Sequence, residues 1–204
     1  MNFIFQWLKK EKINYLDIGA NDPKKFNNTY FFYRKNNRGV LVEPDLRLLK
    51  KIKRVRPRDR VVNSGVGVGG DSEMTFYLMD PDTLSTTASD KADEYVAMGV
   101  KLKEKRVVPL VNINDLILQE FPNEKLDFLS IDVEGLDLEI VKSINFEFCR
   151  PIVICAETLT FTTNNSEFKI DEISKYLIGK GYFIYADTYL NTIFVDEEVW
   201  KSRV

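Results

Sequence analysis

Four apolar runs of strand length in this chain each stop at a carboxylate, and no other feature limits its possible folds as much. The runs end at Asp17 (in YLDIGAND), Glu43 (GVLVE), Asp132 (LDFLSID) and Glu157 (PIVICAE). Near-continuous apolar strands are those buried on both faces, as in a parallel sheet covered by helices. Between them lie segments with helical spacing or helix-ending signals: Asn27–Asn37, Leu46–Val55 behind a capping Asp45, Asn114–Phe121 and Leu136–Ile144. Strands alternating with helices predict a parallel sheet with right-handed crossovers and ligands at the carboxyl ends of the strands. At that edge the four acids would ring one crevice.

The remaining elements refine this α/β reading. Arg60–Asn63 reads as a third strand, followed by a flexible turn over Ser64–Gly70. Glu73–Met79 and Arg106–Val111 read as strands, with hydroxyl-rich Thr83–Ser89 and a short helix at Asp90–Met98 between them. A plain crossover has no such segment, so residues 71–111 are expected to form an insertion, either a lid over the site or a cover for a sheet edge. A polar loop, Thr158–Lys169, leads to a helix at Ile170–Lys180 that Gly181 stops, and Tyr182–Ala186 with Tyr189–Val195 forms a closing hairpin. We expect one domain over residues 1–204.

Composition narrows the function. A length of 204 residues, 44% hydrophobic and 29% charged, suits an ordinary globular domain with a substantial core. A net charge of −2 gives no support for a nucleic-acid partner, and the basic run from Lys50 to Arg60 reads as a solvated helix face. Cys149 and Cys155 have neither disulfide-framework nor metal-site spacing, which suits a reducing compartment. The apolar piece Phe3–Leu8 is too short for a signal peptide or a membrane span. The expected location is cytoplasmic, and the early first strand would also suit a piece of a longer polypeptide. There is no histidine, so a general base must be a carboxylate, lysine, tyrosine, cysteine or metal-bound group.

The opening turn selects the ligand class. Gly19 is followed by Asn21 and Asp22 where a dinucleotide-binding G-x-G-x-x-G turn needs further glycines, so the helix start cannot hug a pyrophosphate. Glu43 falls near the position at which a second-strand carboxylate meets ribose hydroxyls. A cofactor with an adenosine but no phosphates fits, and S-adenosylmethionine is the obvious one.

Here the chain resembles a known family. YLDIGAND, LVEPD, the Thr83–Thr87 stretch and above all FLSIDVEG at Phe128–Gly135 are similar to the FkbM-type S-adenosylmethionine-dependent methyltransferases. NDP, NTYFFY, RGVLVEP and RPRD further resemble the branch found beside glycosyltransferases in glycan-building gene sets, to which the chain could also be fused. The resemblance implies a Rossmann-like class I methyltransferase fold, a seven-stranded, mostly parallel sheet with an antiparallel last strand. It implies that Asp17, Gly19, Ala20 and Asn21 line the methionine and ribose side of the cofactor. Glu43 would hold the ribose hydroxyls, Pro44, Ser64 and Val66 would lie at the adenine, and Asp132 would face the methyl-transfer centre. The acid usual near the adenine amine is missing from Ser64–Gly67.

For the chemistry, Asp132 or Glu134 is the expected base, with Glu157 across the crevice. For Glu134 the alternative is an acid favoured by a helix N-terminus. Asp132 and Glu157 could instead hold Mg²⁺ that lowers the acceptor's pKa. Asp22, Ser85, Thr86 and Asn191 are candidate acceptor contacts. The expected acceptor is a hydroxyl of a sugar or glycan intermediate. Polyketide hydroxyls and amines remain open, as do a nucleotide-dependent oxidoreductase and a non-catalytic docking module.

Overall fold

The computed structural model describes residues 1–122, 125–133, 135–160 and 167–203. In chain order its elements are α1 (Asn2–Trp7), β1 (Asn14–Ile18), α2 (Tyr30–Arg34), β2 (Arg38–Val42), α3 (Leu46–Val55), β3 (Arg60–Val62), β4 (Gly65–Gly67), β5 (Glu73–Asp80), α4 (Ser89–Ala97) and β6 (Lys101–Asn112). There follow α5 (Ile113–Glu120), β7 (Phe128–Ile131), α6 (Asp137–Ser143), β8 (Val153–Glu157), α7 (Asp171–Gly179), β9 (Tyr182–Asp187), β10 (Asn191–Asp196) and α8 (Glu197–Lys201).

Seven strands form one sheet in the order β3-β2-β1-β7-β8-β10-β9. β1, β2, β3, β7 and β8 run parallel, and β10 is antiparallel to both β8 and β9. Both faces are covered, which is why the strands read as unbroken apolar runs. Alternate residues divide between the faces. Leu16, Ile18, Leu129, Ile131, Ile154 and Phe194 pack against α5, α6 and α7. Tyr15, Leu41, Phe128, Val153 and Ile193 pack with α1, α2 and α3. The strand order turns outward in both directions from the β1–β7 pair, so the loops after these two strands diverge and open a crevice between them.

A second sheet, β4-β6-β5, occupies the region where an insertion was expected. Its long antiparallel ribbon, β5 with β6, runs from Glu73 opposite Pro109 to Asp80 opposite Lys101, and β4 joins β6 in parallel register. The unit has small apolar clusters of its own: Phe76, Leu78 and Val108, then Met79, Leu84 and Tyr95.

Several boundaries differ from those expected. The helix expected over Asn27–Asn37 is confined to Tyr30–Arg34. At its start, Asn27 Oδ1 accepts from the Thr29 and Tyr30 amides, an Asx turn that holds the chain out of the helix. At its end, Asn36 takes a left-handed φ of 61°. The Ser64–Gly70 turn is a strand over Gly65–Gly67, because Leu110 of β6 packs 3.0 Å from where a Cβ at either glycine would lie. The second ribbon strand is longer than Arg106–Val111, and the apolar piece from Phe3 forms most of the helix Asn2–Trp7, capped by Leu8, which buries Ile4 and Phe5.

Candidate active site

A cavity of about 750 Å³ opens at the carboxyl edge of the large sheet, and its wall includes Asp17, Glu43, Asp132 and Glu157. The sequence-derived set therefore converges: Gly19, Ala20, Asn21, Asp22, Pro44, Ser64, Val66, Ser85, Thr86 and Asn191 lie on the same wall. Glu134 lies outside the described residues. Among the described residues no group of three or more His, Cys, Asp and Glu side chains comes together as a metal site.

The floor is set by Gly19. Its φ of +80° suits glycine, and a Cβ there would sit 1.8 Å from the Asp132 carbonyl oxygen. Gly19 thus admits the backbone of another strand end while itself lining the cavity. The Gly19 and Ala20 amides donate to the Val42 carbonyl, and the Asp132 amide donates to the Ile18 carbonyl. Three strand ends, β2, β1 and β7, are locked side by side.

Glu43 lies on one side of this floor. One carboxylate oxygen accepts from the Asn21 amide at 2.9 Å and the other from the Asp45 amide at 2.7 Å. Burial pushes its carboxyl up to about 7, against these two amide bonds and with help from the charges of Asp45 and Asp17. Asn21 makes the reach by adopting a left-handed φ of 44°. The carboxylate is held rigidly, with lone pairs left for hydroxyl donors.

Asp17 is more enclosed than its place in the motif suggests. Thr29 Oγ1 donates to its Oδ2 at 2.7 Å and Asn27 Nδ2 at 2.9 Å. Burial raises its pKa, opposed by Arg56 and by these donors. Arg56 corrects the sequence reading. It stands in a basic run taken for a solvated face, yet its side chain is fully buried, as is that of its partner Asp59 at 2.7 Å. Its remaining guanidinium nitrogens donate to Asn27 Oδ1 (2.9 Å), Thr29 Oγ1 (2.9 Å) and the Tyr15 hydroxyl (3.2 Å). Arg56 therefore orders the two residues that hold Asp17. The sequence carried a signal for it: Asp59, an acid three residues on, amid cations. Around Arg56 the rest of the run, Lys50, Lys51, Lys53, Arg54, Arg58 and Arg60, is exposed as expected.

On the other side, three strand ends present polar groups in a row. Ile131 pairs with Ala156, so Asp132 and Glu157, one step on, leave adjacent strands together. Glu157 is in turn the register partner of Asn191 on β10. Asn191 Oδ1 is buried and has no hydrogen-bond partner among the described residues. An orphaned acceptor in a cavity wall is costly unless a ligand donates to it. Behind Asp132, the Val133 and Gly135 amides donate to Asp137, which sequence reasoning missed; burial pushes its carboxyl up to about 6. Gly135, at φ +110°, leaves no room for a Cβ beside Lys91, so α4 of the small sheet unit sits directly on this turn.

The remaining candidates line the wall with their polar groups engaged. Ser85 Oγ accepts from the Met79 amide and Thr86 Oγ1 from the Ala88 amide, while Ser64 Oγ lies 2.8 Å from both the Gly65 and Pro109 carbonyls, which share its one proton. Asp22 accepts from the Lys24 and Lys25 amides and from Lys51 Nζ at 2.5 Å. Desolvation opposes ionisation of Asp22, but these donors hold its carboxyl down to about 2. Its bonds shape the loop.

The family model described as "Methyltransferase FkbM domain" matches residues 17–184. A similar solved structure is a TehB-like SAM-dependent methyltransferase from Corynebacterium glutamicum, 7% identical with a TM-score of 0.46, the match covering 95% of this chain and 85% of that one. No curated protein matches the chain. Among the described residues no helix is long and apolar enough to cross a membrane.

Proposed function

The chain belongs to the FkbM methyltransferase domain family and is an S-adenosylmethionine-dependent methyltransferase, and from that premise we propose that it methylates a hydroxyl of a sugar or glycan intermediate. The observation that carries the proposal is the row Asp132–Glu157–Asn191, where an orphaned buried amide oxygen stands beside two carboxylates. All three are acceptors when the acids are ionised, so the row suits a ligand rich in hydrogen-bond donors, as a polyol is.

The cavity also fits the donor. Among the described residues its wall holds seven acids against two lysines, a field suited to a sulfonium cation. Glu43, fixed by two amides, is placed to receive a pair of ribose hydroxyls. Asp17, Gly19, Ala20 and Asn21 would hold the methionine and ribose side, and Pro44, Ser64 and Val66 the adenine. When bound, S-adenosylmethionine supplies a methyl carbon already activated by its sulfonium. The chain must then orient the acceptor oxygen in line and take its proton. In our reading Asp132 takes the proton, Glu157 holds the hydroxyl or a neighbouring one, and Asn191 Oδ1 accepts from a further hydroxyl. The small sheet unit, through Ser85, Thr86 and α4 on the Asp132 turn, acts as the lid.

A panel of glycosides, each paired with the analogue deoxygenated at one position, tests the acceptor class. We expect a mass gain of one methyl on some hydroxylated members and none on the matching deoxy analogue; methylation of amines alone would contradict the proposal. Running the panel with and without EDTA separates the carboxylate-base route, which keeps full activity, from a Mg²⁺ route through Asp132 and Glu157, which does not.

A further inference from the structure

Charge is not spread evenly over the active-site cavity. The buried or half-buried wall carries acids at Asp17, Glu43, Asp45, Asp132 and Glu157, and at Asp22 and Asp82, whose charges are met by Lys51 and by Arg47 and Lys103. Among the described residues the only cations lining the cavity are Lys24 and Lys25, both exposed, on the loop after β1. Neither forms an ion pair with a described residue, because Asp22, the acid nearest in sequence, is bound to Lys51. Their backbones are fixed all the same, since both amides donate to Asp22. Next to them Phe26 is 94% exposed at a left-handed φ of 52°, an apolar ring held in solvent on the cavity wall. An unburied aromatic ring in a constrained backbone, beside the Lys25 ammonium and a Lys24 ammonium that among the described residues meets only the Tyr30 ring at 5.9 Å, has no folding role to explain it.

We propose that Lys24, Lys25 and Phe26 form a subsite for an anionic group of the acceptor, and that the acceptor is a glycosyl phosphate or diphosphate. The inference rests on the sugar-hydroxyl reading of this same site and deepens it. An anion is repelled from the acidic wall and attracted to the lysines, while hydroxyls find the carboxylates and the Asn191 Oδ1 acceptor at the Asp132 row. The field thus points the phosphate outward and the sugar inward, which orients the acceptor before any contact is made. Phe26 offers its face to whatever the phosphate is esterified to. That group can be a nucleoside or a lipid, and the two are distinguished by which ester is bound better.

Two measurements test this. The first is binding of pyrophosphate, in the presence of S-adenosylhomocysteine, to the wild type and to the double variant Lys24→Ala, Lys25→Ala. We expect measurable binding that weakens about tenfold in the variant and with added salt, as two exposed charge contacts would give. The matching double variant on the exposed face of α3, Lys50→Ala with Lys53→Ala, should bind as the wild type does. The second is the ratio of kcat/KM for a glycosyl phosphate to that for its neutral methyl glycoside, which should exceed about ten and fall towards one in the Lys24, Lys25 variant. A nucleoside diphosphate sugar and a short-chain polyprenyl diphosphate sugar, compared against Phe26→Ala, identify the ester. No pyrophosphate binding by the wild type overturns the inference. So does a variant that loses S-adenosylhomocysteine affinity instead, which would assign the lysines to the cofactor. If pyrophosphate binds as expected but no hydroxyl is methylated, the anion subsite stands and the sugar-hydroxyl reading fails.

Discussion

Glu43 is the side chain on which cofactor affinity should turn with pH. Its folded value of about 7 lies above the ordinary 4.5, because burial disfavours the charged form. Folding therefore favours the acid form, so this group adds stability below about pH 4.5 and gives it up as the pH climbs to about 7. Ligand binding runs the other way, because ribose hydroxyls donate best to the carboxylate. We expect affinity for S-adenosylhomocysteine to rise by up to about tenfold between pH 6 and 8, as the ionised fraction grows. Calorimetric titration checks it, and the Glu43→Gln variant should bind weakly with no such slope. Glu43 was legible in the sequence because an apolar run that stops at an acid marks a strand end without any knowledge of partners. Arg56 was not. One buried cation in a basic run is set apart only by Asp59, Tyr15, Asn27 and Thr29, which the fold gathers around it.

At the scale of elements, the site depends on how tightly the ends of β1 and β7 can meet. Gly19→Ala would press a methyl carbon to within 1.8 Å of the Asp132 carbonyl and strain a backbone at φ +80°. We expect a loss of about 2–4 kcal/mol in stability, read from denaturant unfolding, together with loss of S-adenosylhomocysteine binding. Wild-type stability and affinity in this variant would contradict the packing described for the cavity floor. The large-sheet strands and most helices were readable because each declares itself by local periodicity. β4 was not: a Gly-Val-Gly segment looks like a turn, and its pairing to Leu110, Val111 and Asn112 lies far along the chain. The short α2 escaped for a related reason, since the Asn27 side chain that delays it is committed to Asp17 as well as to the local amides.

For the whole molecule, the sheet order places Asp17, Glu43, Asp132 and Glu157 on one edge, and the strand reversal at β1 and β7 opens the cavity between them. Convergence of the four acids followed from topology, which alternation of strand and helix already implied. The acceptor side was less visible, because the orphaned oxygen of Asn191 and the uneven charge of the wall exist only once β10 and the loop after β1 are in place. In the proposed reaction Asp132 takes the acceptor's proton while Glu43 and its neighbours hold the cofactor. The most direct measurement is the Asp132→Asn variant, assayed for both turnover and S-adenosylhomocysteine affinity. We predict a fall in turnover of about a hundredfold or more, with affinity within about threefold of the wild type. Wild-type turnover in that variant would contradict it.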